Sequence, residues 1–145
     1  MDSQHKSQEN VLFLVWALTV TATGGSLFFS EVLGYIPCEF CWYQRILMYP
    51  LVIIYGMALW KKQVTIALPG LVLSGAGIAL SFYHYLLQKL PALEEAGGSC
   101  GIVPCNGEYI NWLGFITIPL LSFCAFAIVF VCHSIFLTSR RRHHS

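Results

Sequence analysis

Two cysteines three residues apart, Cys38 and Cys41, carry the clearest chemistry in this sequence. A proline precedes the pair, and Arg45 follows Cys41 by one helical turn. The residues after Arg45 are largely apolar, so the pair lies at the start of a predicted helix. Unpaired backbone N–H groups and the helix dipole stabilise a thiolate at such a position, which makes the thiol reactive. The pattern therefore predicts dithiol–disulfide exchange.

A second pair, Cys100 and Cys105, lies in the polar stretch 88–108, which is too polar to cross a membrane. Four such cysteines have three possible uses: exchange between the pairs, two static disulfides, or four thiolates on a structural zinc. Exchange is favoured, and zinc ranks last, because an oxidising exterior disfavours four reduced thiols.

Several other polar residues have both a functional and an ordinary interpretation. Arg45 could stabilise a Cys41 thiolate or the charge on a bound acceptor, or it could extend to lipid headgroups. His84 and Gln88, one helical turn apart, could contact a cofactor or be ordinary polar groups at a helix end. Cys124 and Cys132 are predicted to be small buried hydrophobic residues, and His133 is predicted to lie at a membrane interface.

The elements that must position these residues are membrane helices. Of the 145 residues, 57% are hydrophobic and only 10% charged, whereas soluble domains carry about 25% charged residues. Lipid must therefore solvate much of the chain. We predict an all-α protein forming a single integral membrane domain, 1–145, a four-transmembrane-helix bundle. Its predicted spans are 11–30, 41–60, 64–87 and 110–137.

Basic residues predict which way the bundle faces. Only Arg45 and Lys89 fall near the side that carries the cysteine pairs. An excess of basic residues marks the cytoplasmic face, so both termini are predicted inside and both cysteine-bearing loops outside. The arginine run follows an apolar span and has no interleaved aromatic residues, which excludes a nucleic-acid patch. The basic residues on the side of the termini are Lys6, Lys61, Lys62, Arg140, Arg141 and Arg142.

Electrons leaving a dithiol need an acceptor. The sequence has no nucleotide-binding glycine loop, no flavin fingerprint and no haem motif, since Trp42 follows Cys41 where C-x-x-C-H needs histidine. A lipid-soluble acceptor that enters sideways between helices is the simplest remaining option.

Over almost its whole length, the sequence resembles the DsbB family of membrane disulfide oxidoreductases, most closely its Bacillus-type branch, BdbC. The proteobacterial members separate their second cysteine pair by a much longer loop, whereas here only Gly101 to Pro104 intervene. So short a loop limits how far Cys105 can swing from Cys100. The resemblance is carried by Pro37-Cys38-x-x-Cys41 with Arg45, His84 with Gln88, the Cys100/Cys105 loop, and Asn111-Trp112-Leu113-Gly114 leading to Pro119.

The resemblance implies an electron route. A reduced DsbA-like partner with a thioredoxin fold, of the BdbD type, would attack the second pair and form a mixed disulfide with Cys100. Cys105 would pass the electrons to Cys38, and Cys41 would face a quinone. The implied activity is dithiol:quinone oxidoreduction in the bacterial cytoplasmic membrane, in support of disulfide formation in exported proteins.

The resemblance also implies the cofactor site. Arg45 would stabilise negative charge where the Cys41 thiolate meets the quinone, either menaquinone or ubiquinone, and His84 and Gln88 would line the site. Two rival hypotheses remain: an oxidoreductase that runs in the reducing direction, and a non-enzymatic membrane scaffold with structural disulfides or zinc.

Overall fold

A computed structural model describes residues 2–90 and 117–144 of the chain. Throughout these ranges the regular structure is helical. The second cysteine pair, Cys100 and Cys105, and the Asn111–Gly114 motif lie outside the described residues. The helices are α1 (Asp2–Leu27), continued by a π-helical turn (Phe28–Val32), then α2 (Glu39–Trp60), a 3-10 turn (Val64–Ala67), α3 (Leu68–Lys89) and α4 (Ile118–His144).

Three helices in the described ranges are long and apolar enough to cross a membrane, by length and composition. They are Lys6–Val32, Thr65–Lys89 and Ile118–Thr138. The helix α2 is not among them, because Gln44, Arg45 and several tyrosines lower its hydropathy. Its 22 residues nevertheless give it a length of about 33 Å.

The helix limits reflect local sequence. A 3-10 turn precedes α3, so α3 begins at Leu68. Pro69 then lies in the first turn of α3, where its missing N–H costs little because no helical hydrogen bond is lost. Pro50 lies within α2, which continues without interruption. The predicted start of the last span, near residue 110, falls outside the described residues. The limits of all four predicted membrane spans stay predictions.

The helices pack side by side, with α2 between α1 and α3, and with α4 against both α3 and α1. Leu51 and Tyr55 from α2 meet Phe126 and Val129 from α4 in a core that excludes solvent. Large apolar side chains also cover the outer faces of the helices, where lipid would solvate them. Among them are Leu14, Ile53, Trp60, Val72 and Ile135.

An ion pair joins the beginning of α1 to the turn between α2 and α3. Lys62 Nζ lies 2.8 Å from a carboxylate oxygen of Glu9. Because α2 begins with the C-x-x-C motif and ends just before Lys62, this contact and the motif are at opposite ends of the bundle.

Small residues let α3 approach α4 closely. A Cβ atom on Gly77 would lie 2.4 Å from the ring of Phe126, closer than two carbon atoms can pack. Phe126 is fully buried, so its ring has little room to retreat. Because Gly77 has no side chain, α3 and α4 can pack at this close distance.

We expect Gly77→Ala to destabilise the folded protein by about 1–3 kcal/mol through overpacking. Thermal unfolding in detergent measures the effect. The matched control is Gly75→Ala on the same helix, where the new methyl group would meet Phe130 at an ordinary 3.5 Å. If the two variants unfolded at the same temperature, the close approach at Gly77 would not limit stability.

One prediction about α4, that Cys124 is buried, is wrong, whereas the membrane-interface depth of His133 stays a prediction. His133 is 3% exposed, and its Nδ1 shares a 2.8 Å hydrogen bond with the Tyr55 hydroxyl. Cys124 is exposed on the outer face of the bundle, and Cys132 is half-buried. In a helix that is apolar all round, the sequence pattern does not separate the core face from the lipid face.

Candidate redox site

Cys38 is the N-cap residue of α2. Its backbone is extended (φ −71°, ψ 172°), and its carbonyl oxygen accepts the first helical hydrogen bond, from the Trp42 N–H at 3.1 Å. Cys41 is the third residue of the helix, so one tight turn brings the two sulfurs together. The Sγ atoms of Cys38 and Cys41 lie 3.2 Å apart and share a hydrogen bond. A small movement would close them into a disulfide.

The environment of Cys38 favours its thiolate. The hydrogen bond from Cys41 lowers the pKa of Cys38 from the ordinary 9.0 to about 4, against the raising effect of burial, and His84 acts in the same direction as Cys41. Cys38 lies just before the predicted span 41–60 and is only 6% exposed. In the reduced protein it is therefore a pre-formed nucleophile held in a sheltered position.

We expect the alkylation rate of Cys38 in the reduced protein to stay near its maximum down to about pH 5, because the pKa of Cys38 is about 4. Rate measurements with a small haloacetamide between pH 4 and 9 test this. The Cys41→Ala variant loses the largest cause of the shift, so its profile should move towards that of a free thiol. If the profile did not change, the shift in the pKa of Cys38 would have a cause other than Cys41.

The same pKa shift makes stability depend on pH. The thiolate of Cys38 stabilises the folded reduced protein fully above the unfolded pKa of 9.0. This contribution is lost as pH falls through the folded pKa of about 4.

His84 reaches the pair from α3. It is 1% exposed, and its Nε2 lies 3.6 Å from Cys38 Sγ. On its other side, Nδ1 lies 3.0 Å from the side-chain amide nitrogen of Gln44. Donation by the Gln44 amide to Nδ1 leaves the proton on Nε2, which can then donate to the Cys38 thiolate.

Sequence reasoning missed Gln44. The available signal was a second polar residue beside Arg45 in an otherwise apolar helix, one turn beyond Cys41. Gln44 is buried and belongs to the polar chain that runs from α2 through His84 to Cys38.

Arg45 points into the bundle. It is 9% exposed, its Nε donates to the Ser26 hydroxyl, and its Nη2 donates to the Ser26 carbonyl oxygen, both at 2.9 Å. The guanidinium also lies 5.4 Å from the centre of the Trp42 ring. These contacts join α2 to α1 and differ from those of an arginine that snorkels to headgroups.

A cavity of about 350 Å³ adjoins these residues. All five predicted site residues that the structure describes line it: Cys38, Cys41, Arg45, His84 and Gln88. Most of the remaining wall is apolar or aromatic, which is typical of a pocket for a small organic molecule with a few orienting polar groups. The rest of the lining includes Phe29, Tyr35, Ile36, Met48, Tyr49, Pro119 and Phe126.

The model of the family described as "Disulfide bond formation protein DsbB" matches residues 8–136. The chain belongs to the DsbB family. This confirms the resemblance seen in the sequence and assigns the chain to the membrane proteins of disulfide bond formation. The class of chemistry is accordingly thiol–disulfide oxidoreduction.

Relatives of this chain within the family support its assignment to the Bacillus-type branch. A "probable disulfide formation protein" of Oceanobacillus iheyensis is 54% identical over 138 residues, covering 94% of this chain and 95% of the relative. The "disulfide bond formation protein C" of Bacillus subtilis is 46% identical over 123 residues, covering 83% and 89%. No solved structure matches this chain.

Proposed function

We propose that this protein oxidises the dithiol of a DsbA-like extracytoplasmic thiol oxidase and passes the electrons to a membrane quinone. The observation that carries the proposal is the shared cavity, in which the C-x-x-C thiols, Arg45, His84 and Gln88 meet. Its apolar lining suits a lipid-soluble molecule, and its polar groups lie beside the sulfurs that would give up electrons.

The residues of the cavity fit a quinone. Gln88 Oε1 is buried, and within the described ranges it has no hydrogen-bond partner. A polar atom buried without a partner is costly. Because an amide oxygen only accepts hydrogen bonds, its complementary partner would be a hydroxyl of the reduced, quinol form. Arg45 adds a cation in the same wall. When bound, a quinone would supply a two-electron acceptor that takes up two protons.

The chain's own residues have separate tasks. With the Cys38–Cys41 pair in its disulfide form, the Cys105 thiolate would attack Cys38, which closes the Cys100–Cys105 disulfide and leaves Cys38 as a thiolate and Cys41 as a thiol. Cys41 would then re-form the disulfide with Cys38, and the two electrons and the remaining thiol proton would go to the acceptor in the cavity. His84 would donate a hydrogen bond from Nε2 to the Cys38 sulfur. Arg45 would stabilise negative charge that develops on the sulfur or on a ligand in the cavity.

We further propose a four-span topology with both termini in the cytoplasm and both cysteine pairs outside. The Glu9–Lys62 contact supports it, because it places the start of α1 and the basic Lys61–Lys62 turn at the same end of the bundle. The C-x-x-C motif is at the other end, and α2 is long enough to cross about 30 Å of hydrocarbon.

A turnover assay tests the proposed activity. Purified protein, a reduced thioredoxin-fold thiol oxidase and a short-chain quinone should together yield quinol, with the partner recovered in its disulfide form. A reaction that proceeds only from quinol and oxidised partner would instead support the reducing direction. No electron transfer either way would support a scaffold.

A further inference from the structure

Three soft or borderline ligand atoms converge at one wall of the cavity. The sulfurs of Cys38 and Cys41 and a ring nitrogen of His84 all lie within 4.8 Å of one another. Cys38 and His84 are buried, and Cys41 is partly so. Two thiolates and one imidazole with an open fourth position make up a ligand set that zinc uses in enzymes.

The distances between these atoms are close to those of a tetrahedral site. With Zn–S near 2.3 Å and Zn–N near 2.05 Å, a tetrahedron needs about 3.8 Å between two sulfurs and about 3.6 Å between sulfur and nitrogen. The structure has 3.2 Å between the Cys38 and Cys41 sulfurs and 3.6 Å between Cys38 Sγ and His84 Nε2. An outward movement of one sulfur by about half an ångström brings the sulfur–sulfur distance to the tetrahedral value, and the third distance, between Cys41 Sγ and the His84 ring nitrogen, is within 4.8 Å.

We propose that the reduced protein binds one thiophilic divalent cation, Zn²⁺ or Cd²⁺, through Cys38, Cys41 and His84, with the fourth position open to the cavity. Binding forms two metal–sulfur bonds and one metal–nitrogen bond, and releases the proton of the Cys41 thiol to solvent. The proton on His84 Nε2 moves to Nδ1, where the Gln44 amide turns its oxygen to accept it, so that Nε2 is free to bind the metal. Two thiolates neutralise the ion, so the complex adds no net charge to a buried wall.

The ion binds only to the reduced, dithiol form of the Cys38–Cys41 pair. In the disulfide form neither sulfur is a thiolate, so the ligand set exists only after reduction. Where the proposed function holds, the bound ion also retains the electron pair of each sulfur and so slows re-oxidation. The inhibition rests on the proposed function, whereas the binding does not.

The test is equilibrium dialysis of the reduced, full-length protein against Zn²⁺ without oxygen. A background variant carrying Cys100→Ser, Cys105→Ser, His143→Ala and His144→Ala removes the other thiol pair and the terminal imidazoles. We expect one zinc per chain in the reduced protein and none after oxidation to the disulfide. Co²⁺ in place of Zn²⁺ should show the charge-transfer absorption of thiolate ligation.

Single substitutions assign the ligands. His84→Ala and Cys41→Ser should each weaken binding by about 100-fold or more, whereas Cys124→Ala with Cys132→Ala should leave it unchanged. Circular dichroism checks that each variant remains helical. No zinc in the reduced background protein, equal binding after oxidation, or full affinity in both ligand variants would overturn the proposal. Each readout is independent of quinone turnover.

Discussion

Replacing Cys41 by serine is expected to lower quinol formation by about a thousandfold or more. A hydroxyl cannot form a disulfide with Cys38, so the pair cannot give up two electrons. Serine still offers an O–H to the Cys38 sulfur, so Cys38 should remain a thiolate. The partner can still reduce the Cys100–Cys105 disulfide once, but that pair then cannot pass its electrons on, so about one equivalent of partner should be oxidised per chain before the reaction stops. The measurement is quinone reduction at saturating reduced partner, with the redox state of the cysteine pairs identified by mass spectrometry.

The control for this prediction is the double variant Cys124→Ala and Cys132→Ala. These cysteines lie along α4, away from the cavity lining. The double variant should turn over at the wild-type rate. Activity retained in Cys41→Ser would exclude Cys41 as an electron-carrying sulfur, and activity lost in the double variant would give the α4 cysteines a role that their exposure does not predict.

Arg45→Ala is expected to lower kcat/KM for the quinone by about 10- to 100-fold, which corresponds to about 1.4–2.7 kcal/mol of lost electrostatic stabilisation. The guanidinium is held in the cavity wall by two hydrogen bonds to Ser26, so its charge is already oriented before a ligand enters. Initial rates over a range of quinone concentrations measure the effect.

Ser26→Ala is the matched control for Arg45. It removes the hydroxyl acceptor of Arg45 Nε but keeps the charge and the carbonyl acceptor, so its kinetic loss should be well below tenfold. If Arg45→Ala and Ser26→Ala lowered thermal stability alike while leaving kcat/KM unchanged, Arg45 would serve only to tie α2 to α1.

Much of the site could be predicted because its chemistry is encoded locally. The C-x-x-C spacing places two sulfurs in one helical turn, and His84 and Gln88 share a helix face because four residues make about one turn. The family resemblance implied that this face of α3 would line the same site as the C-x-x-C pair. The cavity brings together all the predicted site residues in the described part of the chain.

What the sequence could not provide was the direction in which individual side chains point. Arg45 had two interpretations because a cation at a helix end can reach outward or inward, and only packing against Ser26 distinguishes them. Gln44 has a role because His84 arrives from another helix. Cys124 was mispredicted because nearly every neighbour on α4 is apolar, so the burial pattern of a soluble helix is absent.

Phe126 belongs to two parts of the molecule at once. Its ring lies against the backbone at Gly77 and also forms part of the cavity wall. Any side chain at position 77 would push this ring away from α3, and the chamber next to the thiols would change shape with it. Gly77 lies on a helix that has no cysteine, yet it thus helps to determine how large a ligand the cavity can accept.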